Sequence, residues 1–360
     1  MTLNFYKKTI LLITVLISFN TFAAVTFPAS TYEELNYGLY WFDYANAKKA
    51  EPGTINPYYD ANKPTFIYVH GWQKGSVEEQ GRSTFDRSDS GGASEDLSQY
   101  WLDQGYNVGI LYWNQFADED EVKDAEAKIH TTEGPQGMRW KSLDGTYHAG
   151  PNKNITQLLF ESIRDNMGDF SNGHFRIAGH SLGNQLALSI SKELNNAVEN
   201  GLNANLLPDR IALLDPFYSK GAQDYLDGQW PGEIARETAD TLKAANVILE
   251  TYRSSLAGSS GIAGDTNVDL MNKTAFTEIR PWYLSFWEIA EKHSAAVNWY
   301  FGSIAFDAPQ LTSNLGDAPS AATSDARTRE LMNSNYGARQ DEGAYTLTPE
   351  DDTFERRDRL

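Results

Sequence analysis

The densest chemical signal in the chain is Gly179-His180-Ser181-Leu182-Gly183. It follows an apolar run at 175–178 and precedes Leu186, Ala187, Ile190 and Leu194, which recur at helical spacing. A serine between Gly179 and Gly183 can sit on a strained strand-to-helix turn that side chains at those two positions would block. The turn lifts the hydroxyl above a sheet edge at a helix N-terminus, where negative charge is favoured. Serine is inert until a base takes its proton, so the expected chemistry is acyl transfer through a covalent serine intermediate.

The partners of such a serine follow it in the order acid, then histidine. The six histidines are His70, His130, His148, His174, His180 and His293, and only His293 comes after Ser181. His180 adjoins the nucleophile and cannot fold back onto it. His293 is therefore the expected base, against the alternative of a surface histidine near a helix end. For the acid, Ile211-Ala212-Leu213-Leu214 reads as a buried strand that Asp215-Pro216 terminates. Proline stops the ladder and leaves the carboxylate at the strand's carboxyl end, where α/β sites form. There Asp215 would hold the imidazole tautomer and stabilise its cationic form. Glu250, Asp265 and Asp269 are the rivals, the first inside a strand pattern and the others in a Gly-rich loop.

A tetrahedral intermediate needs donors for its oxyanion. The backbone N–H of Leu182 is one. The second is expected from the turn after an early strand, where Thr65-Phe66-Ile67-Tyr68-Val69 runs into His70-Gly71-Trp72. The Trp72 N–H is the candidate, and His70 is read as structural.

The elements that must position these groups are compact apolar runs alternating with helical periodicity, the pattern of a parallel α/β sheet. Strands are expected at 66–69, 108–113, 175–178, 210–214 and 247–252. Helices are expected at 96–104, 155–167, 184–198 and 234–244. Two excursions interrupt the alternation, 114–151 and 254–282, and such lengths suit functional covers or disordered segments. The acidic run 118–121 reads as a solvated face. Segment 134–140 either borders the site or is a loop anchored by one tryptophan. Trp282, Tyr283, Phe286 and Trp287 form either a lipid-facing lid or acyl pocket, or the packing of the His293 helix.

Composition narrows the classes. The formal net charge of −19 repels phosphate backbones and anionic bilayers, so nucleic-acid binding is not expected. Aromatic residues at 12% argue for a packed core. With no cysteine, disulfides, cysteine nucleophiles and zinc fingers are excluded. Lys7 and Lys8, the apolar run 10–17 and Thr21-Phe22-Ala23 read as an export signal over 1–24, too short to span a bilayer. The mature protein is then expected outside the cytoplasm, extracellular or periplasmic. Residues 25–306 read as one catalytic domain and 307–360 as a polar C-terminal extension, an irregular wrap or tail.

VHGWQKG at 69–75, AGHSLGNQLA at 178–187, ALLDP at 212–216 and HSAAVNWYFGSI at 293–304 together resemble the pancreatic lipase family. The similarity covers roughly residues 64–304, and it implies an α/β-hydrolase fold with a lid-like insertion. It also implies Ser181, Asp215 and His293 as the triad, with Trp299, Tyr300 and Ser303 in the positions that follow the family's histidine. The chain departs from animal members in lacking both a disulfide-closed lid and the length for a C-terminal β-sandwich, so no colipase is expected. The family's structural calcium would fall near Asp224 and Asp227, but the ligand pattern does not match and no metal is assigned. No organic cofactor is required. The expectation is a secreted serine carboxylic-ester hydrolase acting on acylglycerol or phospholipid esters, with transient contact to a lipid interface. A serine peptidase or amidase on the same fold, and an inactive exported binding protein, are the alternatives.

Overall fold

The computed structural model describes residues 25–44, 46–87, 95–255, 264–312, 314–343 and 349–359. The expected leader 1–24 and part of the second excursion, 256–263, lie outside the described residues.

Among the described residues, one ten-stranded sheet runs through the molecule. Its strands are β1 (Gly38–Asp43), β2 (Asn46–Lys49), β3 (Thr65–Val69), β4 (Asn107–Tyr112), β5 (Phe175–His180), β6 (Arg210–Leu214), β7 (Ile248–Arg253), β8 (Ala275–Glu278), β9 (Tyr336–Glu342) and β10 (Thr353–Asp358). Their order across the sheet is β2-β1-β4-β3-β5-β6-β7-β8-β9-β10. All pairs from β4 to β9 are parallel, and β1 with β2 on one side and β10 on the other add antiparallel pairs. The five expected strands are the sheet's centre, where β3, β4 and β6 are buried at every position.

Helices cover both faces. On one side α3 (Ile155–Asn166), α4 (Gly183–Glu199) and α5 (Pro231–Ala244) pack against each other and the sheet. On the other lie α1 (Ser98–Asp103), α6 (Ile289–Gly302) and α7 (Asp325–Asn333). Between α2 (Val122–His130) and α3 the chain adds a short hairpin, with Trp140 pairing His148. The first excursion is therefore folded, and Trp140 is its buried anchor, with Nε1 donating to Ala149 O at 3.2 Å.

Two features set the position of α6, the helix that carries His293. Aromatic packing is the first: Phe66 stacks on Trp101 of α1 at 3.8 Å, and Phe301 of α6 meets the edges of Phe66 and Tyr68 at 5.6 and 5.0 Å. The second is a fully buried ion pair. Arg210 of β6 donates to both oxygens of Glu250 on β7, at 2.8 and 2.6 Å, and to the carbonyls of Ser320 and Thr323. Tyr300 of α6 and Tyr252 complete the carboxylate at 2.9 and 2.7 Å. A buried charge is tolerated only when its lone pairs and protons are satisfied, as these are.

The C-terminal region departs from the expected irregular wrap. Helix α7 and strands β9 and β10 extend the main sheet, and Asp352 reaches Trp299 of α6 with Nε1···Oδ2 at 2.5 Å. The strands are unrecognisable by apolar pattern because β10 ends the sheet and carries the charges that protect an edge. Arg339 and Glu355, directly opposite in the antiparallel register, form an ion pair.

Burial raises the Asp352 carboxyl from a free aspartate's 3.8 to about 6, against the hydrogen bond from Trp299. Its native pKa is therefore above its unfolded one. Stability from the protonated form is present below about pH 4 and is lost as pH rises through about 6, on the order of 2–3 kcal/mol. Asp352→Asn should flatten that part of the stability profile. Urea unfolding at pH 4 and pH 7 checks this, and an unchanged difference between the two would contradict it.

Candidate active site

The tip of β5 turns sharply at Ser181, whose φ of 55° lies in the left-handed region that L-residues with side chains seldom occupy. The strain is held by close backbone packing. A Cβ at Gly183 would lie 2.1 Å from Val69 O, and one at Gly179 would lie 2.3 Å from Gly183 O. Asn184 donates through Nδ2 to Ser181 O and Leu214 O at 3.0 and 2.9 Å, tying the turn to the end of β6. Helix α4 begins directly after Leu182.

One strand along, Asp215 follows β6 with a φ of 37°. Its side chain is 3% exposed and is surrounded by donors. Oδ1 accepts from the backbone N–H groups of Ser254 and Ser255 at 2.8 and 3.0 Å. Oδ2 accepts from the Ser255 hydroxyl and from His293 Nδ1, the latter at 2.5 Å. Burial alone would push this carboxyl up. The His293 ring and the Ser255 donors outweigh it and hold the pKa below the ordinary aspartate value.

His293 sits in the second turn of α6. Ser254 Oγ donates to Lys292 O at 2.6 Å and accepts from Ala296 N at 3.1 Å, fixing that turn. His180 Nε2 lies 3.0 Å from His293 O, and the two rings are 4.4 Å apart. Burial, reinforced by His293, lowers the His180 pKa to about 3, so its ring is neutral and Nε2–H is the donor to that carbonyl. With Nδ1 of His293 committed to Asp215, Nε2 is the nitrogen available to a hydroxyl. Among the described residues, no hydrogen bond yet joins it to Ser181 Oγ. Catalytic hydrogen bonds often close only in the substrate complex.

The rival acids are occupied elsewhere. Glu250 serves Arg210, Asp265 faces Arg236 at 3.6 Å, and Asp269 lies in the first turn of the short helix Val268–Met271.

The turn after β3 abuts the serine. A Cβ at Gly71 would lie 2.7 Å from Ser181 Cβ and 3.3 Å from its Oγ. Among the described residues, the backbone N–H groups of Trp72 and Leu182 have no acceptor. His70 is buried and structural: Nδ1–H donates to Gly71 O at 2.9 Å, and Nε2 accepts from Trp113 N at 3.1 Å. Burial lowers its pKa to about 3, so the ring is neutral, and the Trp113 N–H donated to Nε2 leaves the proton on Nδ1.

The acidic run 118–121 corrects its expected role. Asp120 and Glu121 are exposed, but Asp118 and Glu119 are fully buried. Asp118 accepts from Gly75 N, Val77 N and Lys141, and Glu119 pairs with Lys128 and Arg139. Glu119 O accepts from Trp72 Nε1 at 2.7 Å. The two acids therefore clamp the loop that carries Gly71 and Trp72. Their partners, Lys128 on α2 and Arg139 and Lys141 at the hairpin, lie 9 to 23 residues further along the chain and could not be read locally.

Residues absent from the sequence reading are Ser254 and Ser255, which hold Asp215, and His180 in its hold on His293. A pair of serines directly after the strand beside the acid's strand is the sequence signal by which they could have been found. Trp282, Phe286 and Trp287 are 48%, 77% and 79% exposed, so they do not pack the His293 helix. An open cleft of about 660 Å³ runs from Trp72 and Gly71 past His180 to Tyr283 and Ser294.

No family model matches the sequence, and no curated protein does. Among solved structures, the chain is similar to a Lactobacillus plantarum protein assigned as a carboxylesterase, at 12% identity over 66% of this chain and 90% of that one, TM-score 0.32. It is similar to a lipase-esterase related protein from Clostridium acetobutylicum, at 11% identity over 54% and 75%, TM-score 0.26. An α/β-hydrolase superfamily protein from Enterococcus faecalis aligns at 12% identity over 64% and 83%, TM-score 0.29. At these values the likenesses carry no argument. The strand order, with β3 crossing back between β4 and β5, and the strand–turn–helix at Ser181 are themselves those of the α/β-hydrolase fold.

Gly71→Ala should force the Val69–Trp72 turn and the Ser181 turn apart, costing about 1–3 kcal/mol of stability. Urea unfolding measures it, and a fully stable variant would show that the two backbones do not need this contact.

Proposed function

We propose that this chain is a serine carboxylic-ester hydrolase, with lipid esters as its substrate class. The observation that carries the reading is the 2.5 Å hydrogen bond from His293 to a buried Asp215, formed one strand away from a serine on a strained turn. Ser181 Oγ attacks the ester carbonyl while His293 Nε2 takes its proton. Asp215 keeps the ring in the Nδ1–H tautomer and stabilises the imidazolium. The Trp72 and Leu182 amides receive the oxyanion, each worth about 3–4 kcal/mol to the transition state. Collapse expels the alcohol, which His293 protonates. Water, deprotonated by the same ring, then releases the acid from Ser181.

The preference for lipid esters is supported by the exposed Trp282, Tyr283, Phe286, Trp287 and Ile289 that precede and open α6. Contiguous exposed apolar side chains of this kind suit transient contact with an interface. The N-terminal 24 residues support export of the enzyme.

Hydrolysis of p-nitrophenyl esters of rising chain length tests this. Rates should rise from acetate towards longer acyl chains. Ser181→Ala should lose on the order of 10⁶-fold in kcat, and Asp215→Asn about 10⁴-fold through loss of the tautomer. Ester turnover that survives Ser181→Ala, or turnover of peptides alone, would overturn the proposal.

A further inference from the structure

A second pocket, of about 220 Å³, opens on the opposite side of the first turn of α6 from the Trp72 cleft. Trp282, Phe286 and Ile289 form its apolar wall, and Arg253, Arg280 and Lys292 its polar one. Its charge is unusual for a chain of net −19. Glu278, the acid in the wall, is already neutralised by Arg253 at 3.4 Å and by Arg357. Arg280 lies over the Trp282 ring at 4.3 Å, and among the described residues neither Arg280 nor Lys292 has an ion-pair partner.

An apolar wall beside two uncompensated cations selects for a ligand with both characters. A neutral hydrocarbon would leave the cations unused, and a small hydrophilic anion would leave Phe286 and Ile289 in water. The volume is below the roughly 300–1,000 Å³ of ordinary ligand sites, which suits one narrow chain rather than a ring system or a two-chain lipid. We propose that this pocket binds the anion of a medium- or long-chain fatty acid. The carboxylate meets Arg280 and Lys292, and the chain lies along Trp282, Phe286 and Ile289. Ser254 and Ser255 also line the pocket, so a bound anion sits behind Asp215 rather than in front of Ser181. The site does not depend on the ester-hydrolase reading, since binding requires no turnover.

Calorimetric titration of the full chain with octanoate, decanoate and laurate, each below its micelle concentration, tests the proposal. Saturable one-to-one binding is expected, tightening about threefold to fourfold per added methylene. Dodecanol should bind at least tenfold more weakly than laurate. Arg280→Gln should weaken laurate at least tenfold with an unchanged circular dichroism spectrum, and Lys292→Gln should act in the same direction. The proposal is overturned by an absence of saturable laurate binding, by dodecanol binding equally well, or by both substitutions leaving the affinity unchanged. Binding of inorganic phosphate or of phosphatidylglycerol vesicles without affinity for monomeric laurate would overturn it too, assigning the cations to a free anion or a membrane surface instead.

Discussion

A carboxylate withdrawn from water must find several donors or it will not stay ionised. Asp215 finds them in two backbone amides, a serine hydroxyl and the His293 ring. Three of these four come from the residues directly after β7, which the parallel register sets beside the end of β6. The fourth has to be delivered from 78 residues away in sequence. Much of the surrounding structure can be understood as the means of that delivery. Phe301 docks α6 on the aromatic layer, Tyr300 fastens it to the Arg210–Glu250 pair, Trp299 to Asp352, and the Ser254 hydroxyl to the turn that holds the imidazole.

The centre of this arrangement was legible in the sequence because its causes are local. A glycine-flanked serine, a strand closed by Asp-Pro and a lone downstream histidine each carry their reason within a few residues. The central strands were legible for the same cause, being buried on both faces and so apolar throughout. The margins were not. Strands β9 and β10 hide behind Arg339, Glu355 and their neighbours, since an edge is kept soluble by charge. Asp118 and Glu119 look like any solvated acidic run until Lys128, Arg139 and Lys141 fold over them. Strand β1 is a different omission: its Leu39-Tyr40-Trp41-Phe42 run has strand composition, and the expected set of strands did not include it.

The two sides of the His293 turn differ in chemical character. Towards Trp72 the cleft is broad, with Asp86, Ser83 and Glu291 among its lining residues. Towards Phe286 the space is narrow, apolar and positively charged. Both border the segment 282–289, whose large side chains lie in solvent. In a chain of net charge −19, apolar and basic side chains gather around the start of α6.

The most direct test of the account is covalent. A fluorophosphonate that mimics the tetrahedral intermediate should add once per chain, and peptide mass mapping should place the adduct on Ser181. Asp215→Asn should slow the labelling by orders of magnitude, and Ser181→Ala should abolish it. An adduct on another residue, or ester hydrolysis that continues with Ser181 unlabelled, would contradict the central claim.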